Sequence, residues 1–214
     1  VPGLVAALRD GTDHPLALGP VEELPWMKAQ ARLTFARVGV IDPLSVEEYQ
    51  AHGGLDGLRR AIGMGPEAIV AEVSESGLRG RGGAGFPTGI KWKTVAGAPA
   101  ARKYIVCNAD EGDSGTFADR MIMEGDPFVV IEGMTIAGIT VGATKGYIYI
   151  RSEYPHAVEA MNAAIGAHAS RCSSFHRPVS HAEMRPSGVT AVASATTIPK
   201  PPAARAPRCW KCQP

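Results

Sequence analysis

The run Gly77-Leu-Arg-Gly-Arg-Gly-Gly-Ala-Gly-Phe-Pro-Thr-Gly-Ile-Lys-Trp92 constrains this chain more than any other segment. Five glycines fall between Gly80 and Gly89, too many for a regular element with a packed face to run through it. Such a segment turns tightly and lets backbone N–H groups approach an anion. Gly80, Gly82, Gly83 and Gly85 are interleaved with Arg81 and followed by Lys91, which bring the positive charge a phosphate needs. Phe86 and Trp92 add flat aromatic faces suited to a base or another heteroaromatic ring. A tight surface loop accounts for the glycines alone. A nucleotide site accounts for glycines, cations and rings together.

Around that loop the pattern is α/β. Residues 1–25 are Gly/Pro-rich and read as a leader or linker, and Met27 to Val38 reads as helical or mixed. Asp42-Pro43 predicts a helix start, with Asp42 capping and His52-Gly-Gly54 closing it. Leu55, Leu58, Ala61 and Ile62 share one face of a second helix, and Pro66 opens a third that ends before Gly77. The glycines therefore follow a helix, whereas an ordinary Rossmann unit places them after a strand. Lys103 to Cys107 and Gly146 to Arg151 read as strands, with helices from Asp126-Pro127 and from Tyr154 to Ile165. This order predicts a Rossmann-like, mostly parallel sheet preceded by a short helical segment.

Charge divides the chain. Residues 1–166 hold 15 Lys/Arg against 20 Asp/Glu, and residues 167–214 hold 7 against Glu183 alone, with Gly188 the only glycine there. The expected domains are therefore 26–166 as the α/β unit and 167–214 as a low-order Ala/Pro/Arg-rich tail, whose abrupt change suggests out-of-frame translation. The basic tail lacks the aromatic interleaving of a nucleic-acid platform, so no nucleic-acid partner is expected. No apolar run approaches the roughly 20 residues of a membrane span, and no leader of the secretory kind is seen, so the expected location is cytoplasmic. Cys209-Trp-Lys-Cys212 is one lone C-x-x-C, Cys172 has no evident partner pair, and no metal site is expected.

A second constellation follows the first strand. Asn108-Ala-Asp-Glu111 stands where open α/β sheets place ligands, past the carboxyl end of a strand. Asn108 offers donor and acceptor together, and Asp110 and Glu111 offer acceptors for hydroxyls or a carboxamide. An acidic surface turn is the plainer reading of that segment taken alone.

Gly77–Trp92, Cys107-Asn-Ala-Asp-Glu-Gly-x-x-Gly-Thr-Phe117 with Asp119-Arg120, Glu132-Gly-Met134 and Gly146-Tyr-Ile-Tyr-Ile-Arg-x-Glu-Tyr154 together resemble one family over about residues 26–165. It is the NADH-binding, FMN-containing flavoprotein subunit of respiratory complex I, shared with NAD-reducing hydrogenases and NAD-dependent formate dehydrogenases. Gly112-Asp-Ser-Gly115 resembles the formate dehydrogenase β subunit more closely. The resemblance implies a diaphorase module moving hydride between NAD(H) and FMN. It places Gly80, Arg81, Gly82, Gly83 and Gly85 against phosphate and flavin, Phe86 on the adenine, and Lys91 on FMN or the dinucleotide. Asn108, Asp110 and Glu111 would line the FMN, Glu111 also near NADH, with no side chain acting as acid or base in the hydride step. Expected partners are the other subunits of a formate dehydrogenase- or NADH dehydrogenase-type complex.

The family continues past this chain, so the sheet is expected to be incomplete and the family's [4Fe–4S] cluster lost, since Cys209 and Cys212 cannot supply four thiolates. A non-catalytic fragment that binds nucleotide or partner subunits is the alternative. A metal-dependent tail and a plain Rossmann dehydrogenase rank behind both.

Overall fold

The computed structural model describes residues 2–113, 115–171 and 191–197, which fall into two compact units, Val1–Ala36 and Arg37–Pro214. The first holds α1 (Pro2–Asp10), a 3-10 turn (Val21–Glu23) and α2 (Pro25–Lys28). The stretch expected to be a linker thus contains a helix. Pro2 sits in its first turn and Leu4, Ala6, Ala7 and Leu8 are strong helix formers. The helical stretch expected over Met27 to Val38 shrinks to the short α2.

The second unit opens with α3 (Val46–Ala51), capped by Ser45 rather than Asp42. Ser45 Oγ accepts from Glu48 N at 3.2 Å while Glu48 Oε2 reaches back to Asp42 N at 2.7 Å, a displaced capping box. Asp42 instead accepts from Leu44 N at 2.9 Å in a local turn. Then come α4 (Asp56–Met64), α5 (Pro66–Glu75) and α6 (Thr88–Gly97). After β1 (Tyr104–Ala109), α7 (Ala118–Gly125) and α8 (Pro127–Val141) carry the chain across to β2 (Lys145–Ile150), followed by α9 (Pro155–Arg171) and β3 (Ala191–Thr197).

β1 and β2 run parallel in register from Tyr104 opposite Lys145 to Ala109 opposite Ile150. β3 lies antiparallel on the other side of β2. It falls inside the segment whose composition predicted no order. Val192, Thr196 and Thr197 supply β-branched residues, and pairing with them completes the ladder on that side of β2. Residues 172–190 and 198–214, with Cys172, Cys209 and Cys212, lie outside the described residues.

α8 organises the core because it is apolar on every side, with ten of its residues buried, from Pro127 to Val141. On one flank Tyr49, Met123, Phe128, Ile131, Ile148, Ile150 and Met161 pack together. On the other, Leu58, Ala61 and Ile69 meet Ile139 and Val141. Gly146 lets α8 lie close to the sheet, since a Cβ there would stand 2.9 Å from Met134 Cε. The carboxyl ends of β1 and β2 emerge side by side, and the candidate site begins there. Among the described residues no helix is long and apolar enough to cross a membrane.

Candidate functional site

The glycine loop is a pinched excursion between α5 and α6. Gly77, with φ 67°, turns the chain out of α5. Gly80 N donates to Phe86 O at 2.9 Å and Thr88 N to Leu78 O at 2.9 Å, closing the base where Arg79 bridges Pro87. Arg79 Nη1 donates inward to Gly85 O at 3.0 Å. Arg81 and Lys91 are different: both are exposed, and neither side-chain cation has an ion pair or hydrogen bond among the described residues.

The glycines sort by what demands them. Gly83 at φ 103° and Gly85 at φ 58° are fixed by backbone conformation. Gly89 is fixed by packing, because a Cβ would fall 2.2 Å from Ser74 Oγ where α6 presses on α5. Gly80 and Gly82 answer to neither constraint. Both lie outside the left-handed region, a Cβ on Gly82 would meet nothing within 4 Å, and one on Gly80 only the Phe86 backbone at 3.7 Å. The fold itself would accept a side chain at both, and the space beside them is open.

α6 rises from this loop with Pro87 as N-cap, no side-chain cap and no acid in its first turn. Its leading N–H groups and Lys91, one turn on, favour an anion there. Phe86 is 49% exposed at the mouth of the loop. Trp92 departs from expectation, since it packs on the Leu58–Ile69 cluster as part of the core. A residue of α6, which packs on α5 and α8, gains more from burial than from solvent.

At the end of β1, Asn108 and Asp110 are exposed, and Asn108 Oδ1 accepts from Asp110 N at 3.1 Å. The Asn108 side-chain nitrogen and the Asp110 carboxylate make no hydrogen bond among the described residues. Glu111 is buried and turned inward. Its Oε1 accepts from Ala118 N at 2.6 Å and Asp119 N at 3.2 Å, and its Oε2 from Arg120 N and the Tyr154 hydroxyl, each at 3.3 Å. The carboxylate expected to line a ligand is therefore the cap of α7.

Sequence reasoning missed the residues that hold Glu111. Arg151 Nη1 donates to its carbonyl oxygen, while Nε and Nη2 each reach Glu153 at 3.2 Å. Arg151 and Arg120 both lie over the Tyr154 ring at 5.5 Å. The hydrogen bond to Arg151 holds the Glu153 carboxyl down at about 2. Burial, with the Glu111 charge behind it, raises both the Asp119 carboxyl and the Tyr154 phenol. Burial, reinforced by Asp119, raises the Cys107 thiol on β1. The Gly146–Tyr154 block was visible as a unit, but its link to Glu111 depends on the β1–β2 register. No hydrogen bond or ion pair joins the glycine loop to the β1 end among the described residues. Within the same limits, no three potential metal ligands converge.

Both constellations fall inside one match: the family described as the Nuo51 FMN-binding domain aligns with residues 73–195. The chain belongs to that family. The Nuo51 match takes in the glycine loop, the β1 turn and Arg151–Tyr154, and it reaches β3, beyond the point near residue 165 where the resemblance read from the sequence stopped.

Two similar relatives are the NADP-reducing hydrogenase subunit HndC of Solidesulfovibrio fructosivorans and an NADH-quinone oxidoreductase subunit of Rhizobium meliloti (strain 1021). The first is 51% identical over 138 residues, 64% of this chain and 28% of that protein. The second is 51% identical over 129 residues, 60% of this chain and 31% of that protein. The chain thus spans roughly three-tenths of the length of these relatives. Among solved structures, the air-oxidised NAD+-reducing [NiFe]-hydrogenase has a similar chain, with a TM-score of 0.51 and 29% identity over 79% of this chain and 28% of that one. These Nuo51 matches do not separate a formate dehydrogenase β subunit from the hydrogenase and complex I branches.

Proposed function

We propose that this chain is an FMN- and dinucleotide-binding module that passes hydride between NAD(P)H and FMN. The observation that carries the reading is the glycine loop. Gly80 and Gly82 border open space, with Arg81 and Lys91, unpaired among the described residues, beside the uncapped start of α6. A dianionic phosphate fits that donor set, since backbone N–H groups and two cations without a partner among the described residues offset its charge, and the first turn of α6 holds no acid.

In this reading the backbone at Gly80, Gly82, Gly83 and Gly85 receives phosphate and the edge of the flavin. Arg81 and Lys91 supply charge, and the exposed Phe86 ring stacks on the adenine of the dinucleotide. Asn108 and Asp110 address the ribityl hydroxyls or ring edge, and Glu111 acts on the cofactor through the turn it holds. FMN, when bound, supplies the nitrogen that exchanges hydride with C4 of the nicotinamide. The chain's own residues bind and orient the two rings, and no side chain moves a proton in that step.

The finer placement is a formate dehydrogenase β subunit, favoured by the Gly112-Asp-Ser-Gly115 turn. There the module would serve cytoplasmic NAD+ reduction with the other subunits of its complex as partners.

The test is a visible spectrum of the purified full chain, reconstituted with FMN and freed of unbound flavin, before and after anaerobic NADH or NADPH. A retained flavin band that bleaches with either nucleotide is the expected result. A chain that retains no flavin would overturn the proposal.

A further inference from the structure

One side chain spans the neighbouring carboxyl ends of the parallel strands. Arg151, the first residue past β2, donates to the carbonyl oxygen of Glu111, 40 residues earlier. The rest of its guanidinium is engaged with both Glu153 oxygens and the face of Tyr154, leaving the side chain 23% exposed. A surface pair such as Arg59–Asp56, with the arginine 57% exposed, has no comparable fixation.

Tyr154 grips the other end of the same glutamate, donating to Oε2 at 3.3 Å. Glu111 is thus held at its backbone by Arg151 and at its carboxylate by Tyr154, and it passes that constraint to the first three amides of α7. The chain between offers little support of its own. Gly112, Asp113, Gly115 and Thr116 are exposed, with one backbone bond among them, Thr116 N to Asp113 O at 3.3 Å. Among the described residues, the contacts that hold the turn come from the β2 side, through Arg151 and Tyr154.

We infer that Arg151 is a positioning residue for the cofactor site: it fixes the Asp110–Glu111 turn, just past the last β1 pair Ala109–Ile150, against the β2–α9 connection and so sets where the Asp110 carboxylate stands. The inference rests on the reading that Asp110 faces FMN. A lysine cannot replace it, because one ammonium cannot reach the Glu111 carbonyl and both Glu153 oxygens while covering a ring. Side chains that orient metal ligands typically change affinity tenfold or more when removed, and a loss of about that size is the scale expected here.

The experiment compares the full-length wild type with Arg151→Gln and Arg151→Lys by FMN titration and by residue-resolved amide exchange without cofactor. Expected are FMN binding about tenfold weaker in both variants and faster exchange at Ala118, Asp119 and Arg120. Exchange at the core amides of Ile131 and Ile148 should be unchanged, a split that a general structural role would not produce. Equal FMN affinity in wild type and variants would overturn the inference, as would loss of core protection in Arg151→Lys. Should the wild type itself bind no FMN, the cofactor reading falls. The exchange data then decide about Arg151 alone: local loss supports its hold on the turn and no change overturns it.

Discussion

Tyr49 donates its phenolic hydrogen to Glu132 across 83 residues, and the same carboxylate starts α4 by accepting from Leu55 N at 2.8 Å and Leu58 N at 2.9 Å. Burial first, then the bond to Glu132, pushes the Tyr49 phenol above its ordinary range, so it stays a donor at any working pH. Glu132→Ala would leave three donors without this acceptor, two of them buried, and should cost about 3 kcal/mol, against about 1 kcal/mol for Tyr49→Phe. Urea unfolding followed by fluorescence compares them, and equal losses would mean the helix start does not depend on the carboxylate.

Three glycines separate fold from binding. Gly89→Ala puts a methyl 2.2 Å from Ser74 Oγ and 2.8 Å from Ser74 Cα, and should destabilise by about 2 kcal/mol. Gly83→Ala, at φ 103°, should cost about 1 kcal/mol of backbone strain. Gly82→Ala should leave the melting temperature within a degree or two of wild type, as surface changes do, yet weaken FMN binding. Thermal melts and flavin titration of the three variants check the order. A Gly82→Ala protein that binds FMN as wild type does would remove Gly82 from the site.

Arg81 and Lys91 have no partner among the described residues, so their loss should be felt chiefly by a ligand. Arg81→Gln or Lys91→Gln should each weaken FMN binding by roughly tenfold, the scale of one charge-assisted contact to phosphate, with stability unchanged. The salt dependence of affinity should flatten in the double variant. Riboflavin, which lacks the phosphate, should bind the wild type and the variants alike.

Two carboxyls respond to acid with opposite sign. Glu153 is lowered from 4.5 to about 2 by Arg151, so its contribution is present above 4.5 and fades as pH falls toward 2. Carboxyl NMR should find that low midpoint, and Arg151→Gln should return it toward the ordinary value. Asp126 is raised by burial despite the 2.7 Å bridge to Arg37, and its Oδ1 has no partner among the described residues. A raised carboxyl binds more protons folded than unfolded, so its share of stability is fullest in acid and declines as pH climbs through its folded value.

How much could be seen beforehand depended on where each stabilising partner lies. Pro66 and Pro127 announced α5 and α8 because the signal sits in the first turn itself. The β-branched runs marked β1 and β2 for the same local reason. α7 was invisible because Phe117, at φ 53°, is no ordinary cap and the acceptor is Glu111. α6 was missed because Pro87 gives no capping side chain and Ile90, Trp92, Thr94 and Val95 are mediocre helix formers. Asn108 and Asp110 were legible as polar residues at the carboxyl end of a strand. Glu111 was not, since sequence shows a carboxylate and only the fold shows which way it turns.

The two borrowed caps bear on the order in which this domain assembles. α4 has nine residues and α7 eight, each below the roughly 12–15 that sustain an isolated helix. Each also starts from a residue in the left-handed region, Leu55 at φ 64° and Phe117 at φ 53°, which resists nucleation. Neither helix can begin until α8 delivers Glu132 or the β1 end delivers Glu111. The expected order is therefore α8 with the strands it covers first and α4 and α7 after it, and pulsed amide exchange during refolding should show late protection at Leu58 and Ala118.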